Sequence, residues 1–304
     1  MNNRGYKVLP ANPKQLEGIA ALFKLKEKKK QENVIIFIAE DACGTPVGRI
    51  VIIERSIPSP LNGKRWYVYD LFVSSAHRRK GIATALVLKT MEEAEKACVI
   101  FIYGSANASV EASYFWLKQG FSMNAYGRKQ DDPAMPLFYG NYFHMFSHCI
   151  RRKPLLDRQR NDSVKALSNE KTQRLIDEYM TDSEKKVYYL SKVDTLSGFA
   201  ICGKHGEIMG AIIAFPDSMQ APLESIRLFV DVFVMEKYRK KGVGRELICE
   251  VCHFAKEIGA IQLTNFSQTA EYIGFWYEIG FDVFFWDVNP NTGEYSTTAM
   301  LRIE

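Results

Sequence analysis

A chain of 304 residues, 47% apolar and 25% charged, with a formal charge of +5, is long enough for two cores of ordinary size and too apolar to be disordered. The modest positive balance argues against nucleic acid, whose binders gather basic residues on one face, and suits an anionic small ligand. The opening MNNRGYKVLP has no apolar signal region, and runs such as VIIFIA at 34–39 fall far short of the ~18 residues of a membrane helix, so a cytoplasmic protein with no membrane contact is expected.

In chain order, Asn12-Pro13 reads as the start of a helix with Leu16, Ile19 and Phe23 on one face and a lysine-rich end at Lys26, Lys28, Lys29 and Lys30, placed to suit the negative pole of the helix dipole. Two strands follow, NVIIFIAED and PVGRIVIIERS, joined by a Cys-Gly-Thr turn. A strand ending at Val73 leads through the basic stretch HRRKG into a helix reaching about Cys98. Then come the strand VIFIYG, a short helix ending at Gly120, and strands near 121–128 and 141–149. Arg151 to Arg160, RRKPLLDRQR, lacks periodicity and reads as a solvated linker, so domains of 1–152 and 153–304 are expected.

The second half repeats this order. It has a helical region from 164 to about 192, the hairpin GFAICGKHGEIMGAIIAF, a strand ending at Val234, the basic stretch YRKKG, a helix to Ile258, the strand IQLTNF, a short helix, and closing strands around the turn NPNTGE. The loop glycines Gly81 and Gly242 lie 161 positions apart, each with an aspartate 11 positions earlier, Asp70 and Asp231. SYFWLKQGF at 113–121 mirrors IGFWYEIGF at 273–281. Three matches in fixed order at near-equal intervals mark a duplicated unit.

Six cysteines, at 43, 98, 149, 202, 249 and 252, are scattered through a chain with no export signal and read as reduced thiols. Cys249 to His253, CEVCH, matches a haem-attachment string, but Val243, Leu247, Val251, Phe254 and Ile258 around it follow helical spacing, which makes these buried helix cysteines. No second ligand pair closes a zinc site; no metal is expected.

A strand, a basic glycine loop and a helix start form an anion site. The first helix amides have no internal partners, the dipole adds partial positive charge, and glycine lets phosphate oxygens approach the backbone. Neither loop has the Lys-Ser/Thr ending of a nucleotide P-loop or the third glycine of a dinucleotide fingerprint. With the Asp-x-Phe-Val strand before it and the Gly-Phe after it, the arrangement resembles the GNAT superfamily of acyl-CoA-dependent N-acyltransferases. Its signature, (Arg/Gln)-x-x-Gly-x-(Gly/Ala), reads here as Arg78-x-x-Gly81-x-Ala83 and Arg239-x-x-Gly242-x-Gly244.

The resemblance implies an α/β (α+β) fold of two tandem domains, each a mixed, mostly antiparallel central sheet flanked by helices. It implies that acetyl-CoA is the cofactor. Its pyrophosphate would lie on Arg78, Arg79, Lys80, Gly81, Ile82, Ala83 and Thr84, and on Arg239, Lys240, Lys241, Gly242, Val243, Gly244 and Arg245. The pantetheine arm would pair with the backbone of Leu71, Phe72 and Val73, and of Val232, Phe233 and Val234, helped by Asn107 and Asn265.

Transfer to an amine requires a neutral nucleophile, a stabilised carbonyl oxygen and a proton for the thiolate. Asp70 and Asp231 are the candidate bases, each equally open to a structural role; a strand amide exposed by a local bulge would meet the oxyanion. The family's usual tyrosine acid is replaced by Trp116 and Trp276, and an indole N–H cannot give up a proton. Tyr114 and Tyr277 are displaced around the helix; Tyr103, Tyr272, water or unassisted thiolate departure remain. The expected function is acetylation of a primary amine of a small molecule or peptide, by a monomer or homodimer, with both halves or only one catalytic. The alternatives are a non-catalytic acyl-CoA-binding regulatory module and a transferase using aminoacyl-tRNA.

Overall fold

The computed structural model describes residues 5–12, 14–15, 33–57, 61–107, 110–125, 143–150, 163–180, 183–218, 226–268, 270–288 and 295–303. The helix expected after Asn12-Pro13, the linker at 151–160 and the turn NPNTGE lie outside them. The chain divides into two compact units, Met1–Arg152 and Lys153–Glu304.

The first unit runs β1 (Tyr6–Pro10), β2 (Asn33–Asp41), β3 (Pro46–Ile57), β4 (Gly63–Val73), α1 (Ile82–Lys96), β5 (Val99–Asn107), α2 (Val110–Lys118), β6 (Ser122–Ala125) and β7 (Phe143–Cys149). Its sheet has the order β1-β2-β3-β4-β5-β7-β6, antiparallel except for β4 beside β5. The second unit runs β8 (Val164–Leu167), α3 (Asn169–Tyr179), α4 (Ser183–Leu190), β9 (Ser197–Cys202), β10 (Ile208–Ser218), β11 (Ile226–Val234), α5 (Val243–Glu257), β12 (Gln262–Gln268), α6 (Ala270–Glu278), β13 (Asp282–Val288) and β14 (Tyr295–Arg302). Its sheet order is β13-β14-β12-β11-β10-β9-β8, again with one parallel pair, β11 and β12. These are the two mixed, mostly antiparallel sheets that the resemblance implies.

Two edge strands differ from the sequence reading. No element is expected at 6–10, and 164–167 is expected to start a helix; both are short edge strands. Their backbone pairing, to β2 and β9, is a tertiary fact that no local period announces.

The cores form where the apolar periods predict. Ile50, Val51, Ile52 and Ile53 in β3 are all fully buried, which is the mark of a central strand covered on both faces. In α1, Ile82, Leu86, Val87, Thr90 and Ala94 form the buried stripe; in α5 it comprises Val243, Leu247, Ile248, Val251, Cys252 and Ala255 among others. Cys249 and Cys252 are thus core residues of a packed helix, and burial pushes the Cys252 thiol up to about 12. Among the described residues no group of His, Cys, Asp or Glu side chains could hold a metal ion, and no helix is long and apolar enough to cross a membrane.

Candidate active site

In each unit the parallel strand pair separates partway along. β4 and β5 stay in register from Arg65 opposite Phe101 to Val68 opposite Gly104, after a shift at Lys64; β11 and β12 do so from Arg227 opposite Gln262 to Phe229 opposite Thr264. Beyond those points Leu71, Phe72 and Val73, and Val232, Phe233 and Val234, keep antiparallel partners on β3 or β10, and among the described residues no strand is in register on their other side. Each fork is therefore an extended ribbon with one open edge, which is the geometry that binds an extended amide-bearing chain.

The basic loop follows at the end of that ribbon, and both copies have one backbone. Arg79 and Lys240 have φ of 62° and 59°, and Gly81 and Gly242 have φ of 80° and 89°. A left-handed conformation at a non-glycine residue is uncommon and costs of order 1 kcal/mol or more, and it recurs at the same place in both loops. Arg78 Nε donates to Val73 O at 3.1 Å, and Arg239 Nε to Val234 O at 3.2 Å. The leading arginine of each signature thus ties its loop back to the strand. Gly81 and Gly242 are the N-caps of α1 and α5, and as glycines they offer no side chain to cap those helices; by contrast Ser168 caps α3 by accepting from Lys171 N at 3.3 Å. Uncapped helix amides beside exposed cations form a ready site for an anion.

Sequence reasoning missed what presses these helices onto the sheet. A Cβ on Gly48 would meet Ile82 Cγ2 at 3.0 Å and Phe72 O at 3.1 Å; one on Gly210 would meet Val243 Cγ1 at 2.7 Å and Phe233 O at 2.9 Å. Both glycines let the first turn of the following helix rest directly on the strand. They lie 162 positions apart, so extending the repeat upstream of the loop would have found them. The last glycine of the second signature has a separate reason: a Cβ on Gly244 would come within 3.1 Å of the Phe275 ring.

In the second unit these parts enclose a cleft of about 950 Å³. Of the residues expected on the cofactor there, all but Lys241 and Asn265 line it, together with Asp231; α3 and α6 add Tyr179, Met180, Tyr272, Phe275 and Trp276. Tyr179 packs its ring 4.9 Å from that of Phe233, and burial, with a hydrogen bond to Glu178, raises its pKa, so it stays a donor. The loop is fastened again by Tyr238, whose hydroxyl donates to Glu207 Oε1 at 2.8 Å and holds that carboxyl below its usual range.

The two asparagines are not equivalent. Ile150 N–H bonds Ile100 O, and Ile303 N–H bonds Ile261 O, which aligns Ile100 with Ile261 and places Asn265 where the first unit has Gly104; Asn107 matches Gln268. Asn265 is buried, and its Nδ2 donates to Val230 O at 2.7 Å just past the last paired residues. Its Oδ1 is buried without a partner. The side chain of Asn107 lies outside the described residues. Thr84 Oγ1 accepts from Gln119 Nε2 at 3.4 Å.

The two aspartates have different company. Arg49 Nε donates to Asp70 Oδ2 at 2.9 Å, whereas Asp231 Oδ2 accepts from Tyr189 Oη at 3.2 Å. The expected strand bulge exists in β4, where Val51 faces Asp70 and Ile52 faces Val68, leaving Tyr69 unopposed. β11 runs against β10 without a register shift. Trp116 is buried, stacked 3.7 Å from Phe146, and Trp276 is buried 4.7 Å from Phe281; both are core rings first. Tyr103 is buried and accepts from Arg55 Nη1 at 3.3 Å, while Tyr272 opens into the cleft. Tyr114 is exposed and Tyr277 is not among the cleft's lining residues, as their helix positions imply.

Comparison with curated proteins gives no match. Among solved structures, about half of the chain is similar to Arabidopsis thaliana NAA60 in complex with acetyl-CoA (15% identity, 48% of this chain and 98% of that one, TM-score 0.39). It is also similar to an aminoglycoside 6'-N-acetyltransferase complexed with coenzyme A (17%, 49% and 99%, 0.37) and to the spermidine/spermine N-acetyltransferase SpeG from Vibrio cholerae (15%, 49% and 94%, 0.38). The family model described as Acetyltransferase (GNAT) family matches residues 8–121 and again 162–281. These two segments cover most of the 304 residues and fall one in each unit, and the chain therefore belongs to the GNAT acetyltransferase family, with its fold present twice.

Proposed function

We propose that the protein is an acetyl-CoA-dependent N-acetyltransferase acting on a primary amine of a small molecule or peptide. The observation that carries this reading is the repeated loop, left-handed at Arg79 and Gly81 and at Lys240 and Gly242, in front of helices whose N-cap is a glycine with no capping side chain. Such a loop suits a pyrophosphate, with Arg79, Lys80, Lys240, Lys241 and Arg245 neutralising its charge. The fork fits the rest of the cofactor. The open edge of Val232 to Val234 offers backbone partners to amides of the pantetheine arm.

Acetyl-CoA supplies an acyl group on a sulfur that leaves readily, its thiol having a pKa of ~8.5. Reaction forms a C–N bond and breaks the C–S bond, whose electron pair departs with sulfur. An alkylammonium, pKa ~10.4, first loses a proton. Asp231, held by Tyr189, orients that ammonium and passes the proton to water; the second proton leaving nitrogen neutralises the thiolate, directly or through Tyr272.

Calorimetric titration with acetyl-CoA, followed by measurement of free thiol released with a panel of alkylamines, tests the reading. Binding with amine-dependent thiol release is expected. An absence of acetyl-CoA binding at any concentration up to the millimolar range would overturn it.

A further inference from the structure

The cleft of the second unit has walls on both faces of its sheet. A Cβ on Gly210 would meet Val243 Cγ1 and Leu247 Cδ1 of α5, so alternation along β10 turns Ala211 and Ile213 to the opposite face, where they pack with Leu175 and Ile176 of α3. Phe233 and Asp231 stand directly opposite Ala211 and Ile213 and share that face. The cleft is nevertheless lined by Val243, Gly244 and Phe275 from α5 and α6 and by Tyr179 and Met180 at the end of α3, so it passes from one face to the other. Among the described residues the sheet opens where β11 and β12 part, after Phe229 and Thr264. The two mouths differ in chemistry. Arg239, Lys240 and Arg245 lie at the loop mouth, and Glu278 lines the cleft from the same helix as Phe275. The α3 mouth has Tyr179, Met180 and Phe233, all half-buried, with the Tyr179 and Phe233 rings 4.9 Å apart and tilted by 33°. Of the described lining residues, only Asp231 is charged on that side.

From these walls we infer that the acceptor enters at the α3 mouth and is a monoamine carried on an apolar, ring-sized body, selected by Tyr179, Met180 and Phe233. The inference rests on the transferase reading for the amine and on the lining for the body. A cofactor bearing a pyrophosphate takes the cationic mouth, which leaves the other to the second substrate. An apolar body gains there by burial, about fourfold for each methylene-sized group, and a flat one gains further by meeting two rings already tilted for edge or offset contact. Met180, unbranched and placed at the C-cap of α3, adapts to an irregular body and makes favourable sulfur contacts with a ring. A diamine or polyamine fares worse. Its second ammonium would lie against Met180 and the rings and give up its water with no carboxylate besides Asp231 in the described lining of that mouth; the ring quadrupoles return less than that loss of hydration costs.

Saturation-transfer NMR on the full-length protein, titrated with 2-phenylethylamine and separately with 1,4-diaminobutane, tests the class without requiring turnover. The arylamine should bind at least about tenfold more tightly. Met180→Glu, which sets a carboxylate at the mouth, should swing the ratio of the two affinities about tenfold toward the diamine. Tyr179→Ala, which removes a ring, should weaken the arylamine about fivefold and move the diamine less. Circular dichroism checks that each variant folds, and either one suffices if the other does not. Diamine binding as tight as that of the arylamine, no saturable signal from either amine, or a ratio unmoved in the folded variants would overturn the inference. Thiol release from acetyl-CoA with the same two amines separates the claims. If the arylamine binds with the stated preference but no thiol is released, the transferase reading fails and the ligand class stands; release with the diamine alone keeps the transferase and overturns the class.

Discussion

Asn265 reaches across the point where β11 and β12 part and donates its Nδ2 to Val230 O at 2.7 Å, closing by a side chain the ladder that the backbone abandons at Phe229 and Thr264. Asn265→Leu keeps the volume and removes the donor. It should lower stability by about 1–3 kcal/mol, because Val230 O loses its partner in a buried setting; urea denaturation measures this.

At Gly242 two effects separate cleanly. A Cβ there meets nothing within 4 Å, yet φ is +89°. Gly242→Ala should therefore cost only the left-handed penalty of roughly 1 kcal/mol in stability, while Gly242→Glu, which places a carboxylate at the mouth of α5, should reduce acetyl-CoA affinity more than tenfold through charge at the helix start. Paired denaturation and calorimetry distinguish the two; equal affinity for both variants would show that no phosphate approaches this turn.

The strand glycines beneath the helix starts should rank by clearance. Gly210→Ala drives a methyl to 2.7 Å of Val243 Cγ1 and 2.9 Å of a backbone oxygen, and Gly48→Ala to 3.0 Å and 3.1 Å. Overpacking of this kind costs typically 1–3 kcal/mol, with Gly210→Ala at the upper end and Gly48→Ala at the lower. Both should also weaken acetyl-CoA binding in their own unit, because α5 or α1 is lifted from the strand.

Thiol chemistry should divide the six cysteines by burial. Cys43, Cys98 and Cys202 are exposed and Cys149, Cys249 and Cys252 are buried. Iodoacetamide at pH 8 should alkylate the first three in the native protein and spare the others, Cys252 most of all with its thiol at about 12, since the thiolate is the reactive form. Alkylation of Cys252 at the rate of Cys98 would contradict the packing of α5.

Glu54 carries a pH dependence. Burial favours its neutral form, but hydrogen bonds from Trp66, Asn33 and Lys64 outweigh that and hold its pKa below the ordinary value. A depressed folded-state pKa gives stability that is full above the unfolded value of ~4.3 and is lost as pH falls through the folded one. Thermal melts of the unmodified protein and Glu54→Gln should therefore differ at pH 7 and converge toward pH 3.

The duplicated order of elements, the aspartate-bearing strands and the basic glycine loops were legible because each rests on local chemistry: apolar period, turn residues, the need for left-handed backbone. The edge strands β1 and β8 were not, since a short edge strand is defined by its neighbour. Asn107 and Asn265 read as counterparts from their place after similar strings; only the pairing to β7 and β14 showed that Asn265 replaces Gly104. The same limit hid Arg49, an unremarked residue of β3 whose meaning lies wholly in what it faces.

From its residues alone this chain declares a family and a repeat, because helix starts, glycine turns and hydrophobic periods act over a few neighbouring positions. What each aspartate can do was decided by the fold, because an ion pair or a hydroxyl partner comes from an element far away in sequence: Arg49 from β3 for Asp70, Tyr189 from α4 for Asp231. Carboxylate chemistry depends on the charge within a few ångströms, and only tertiary packing sets that.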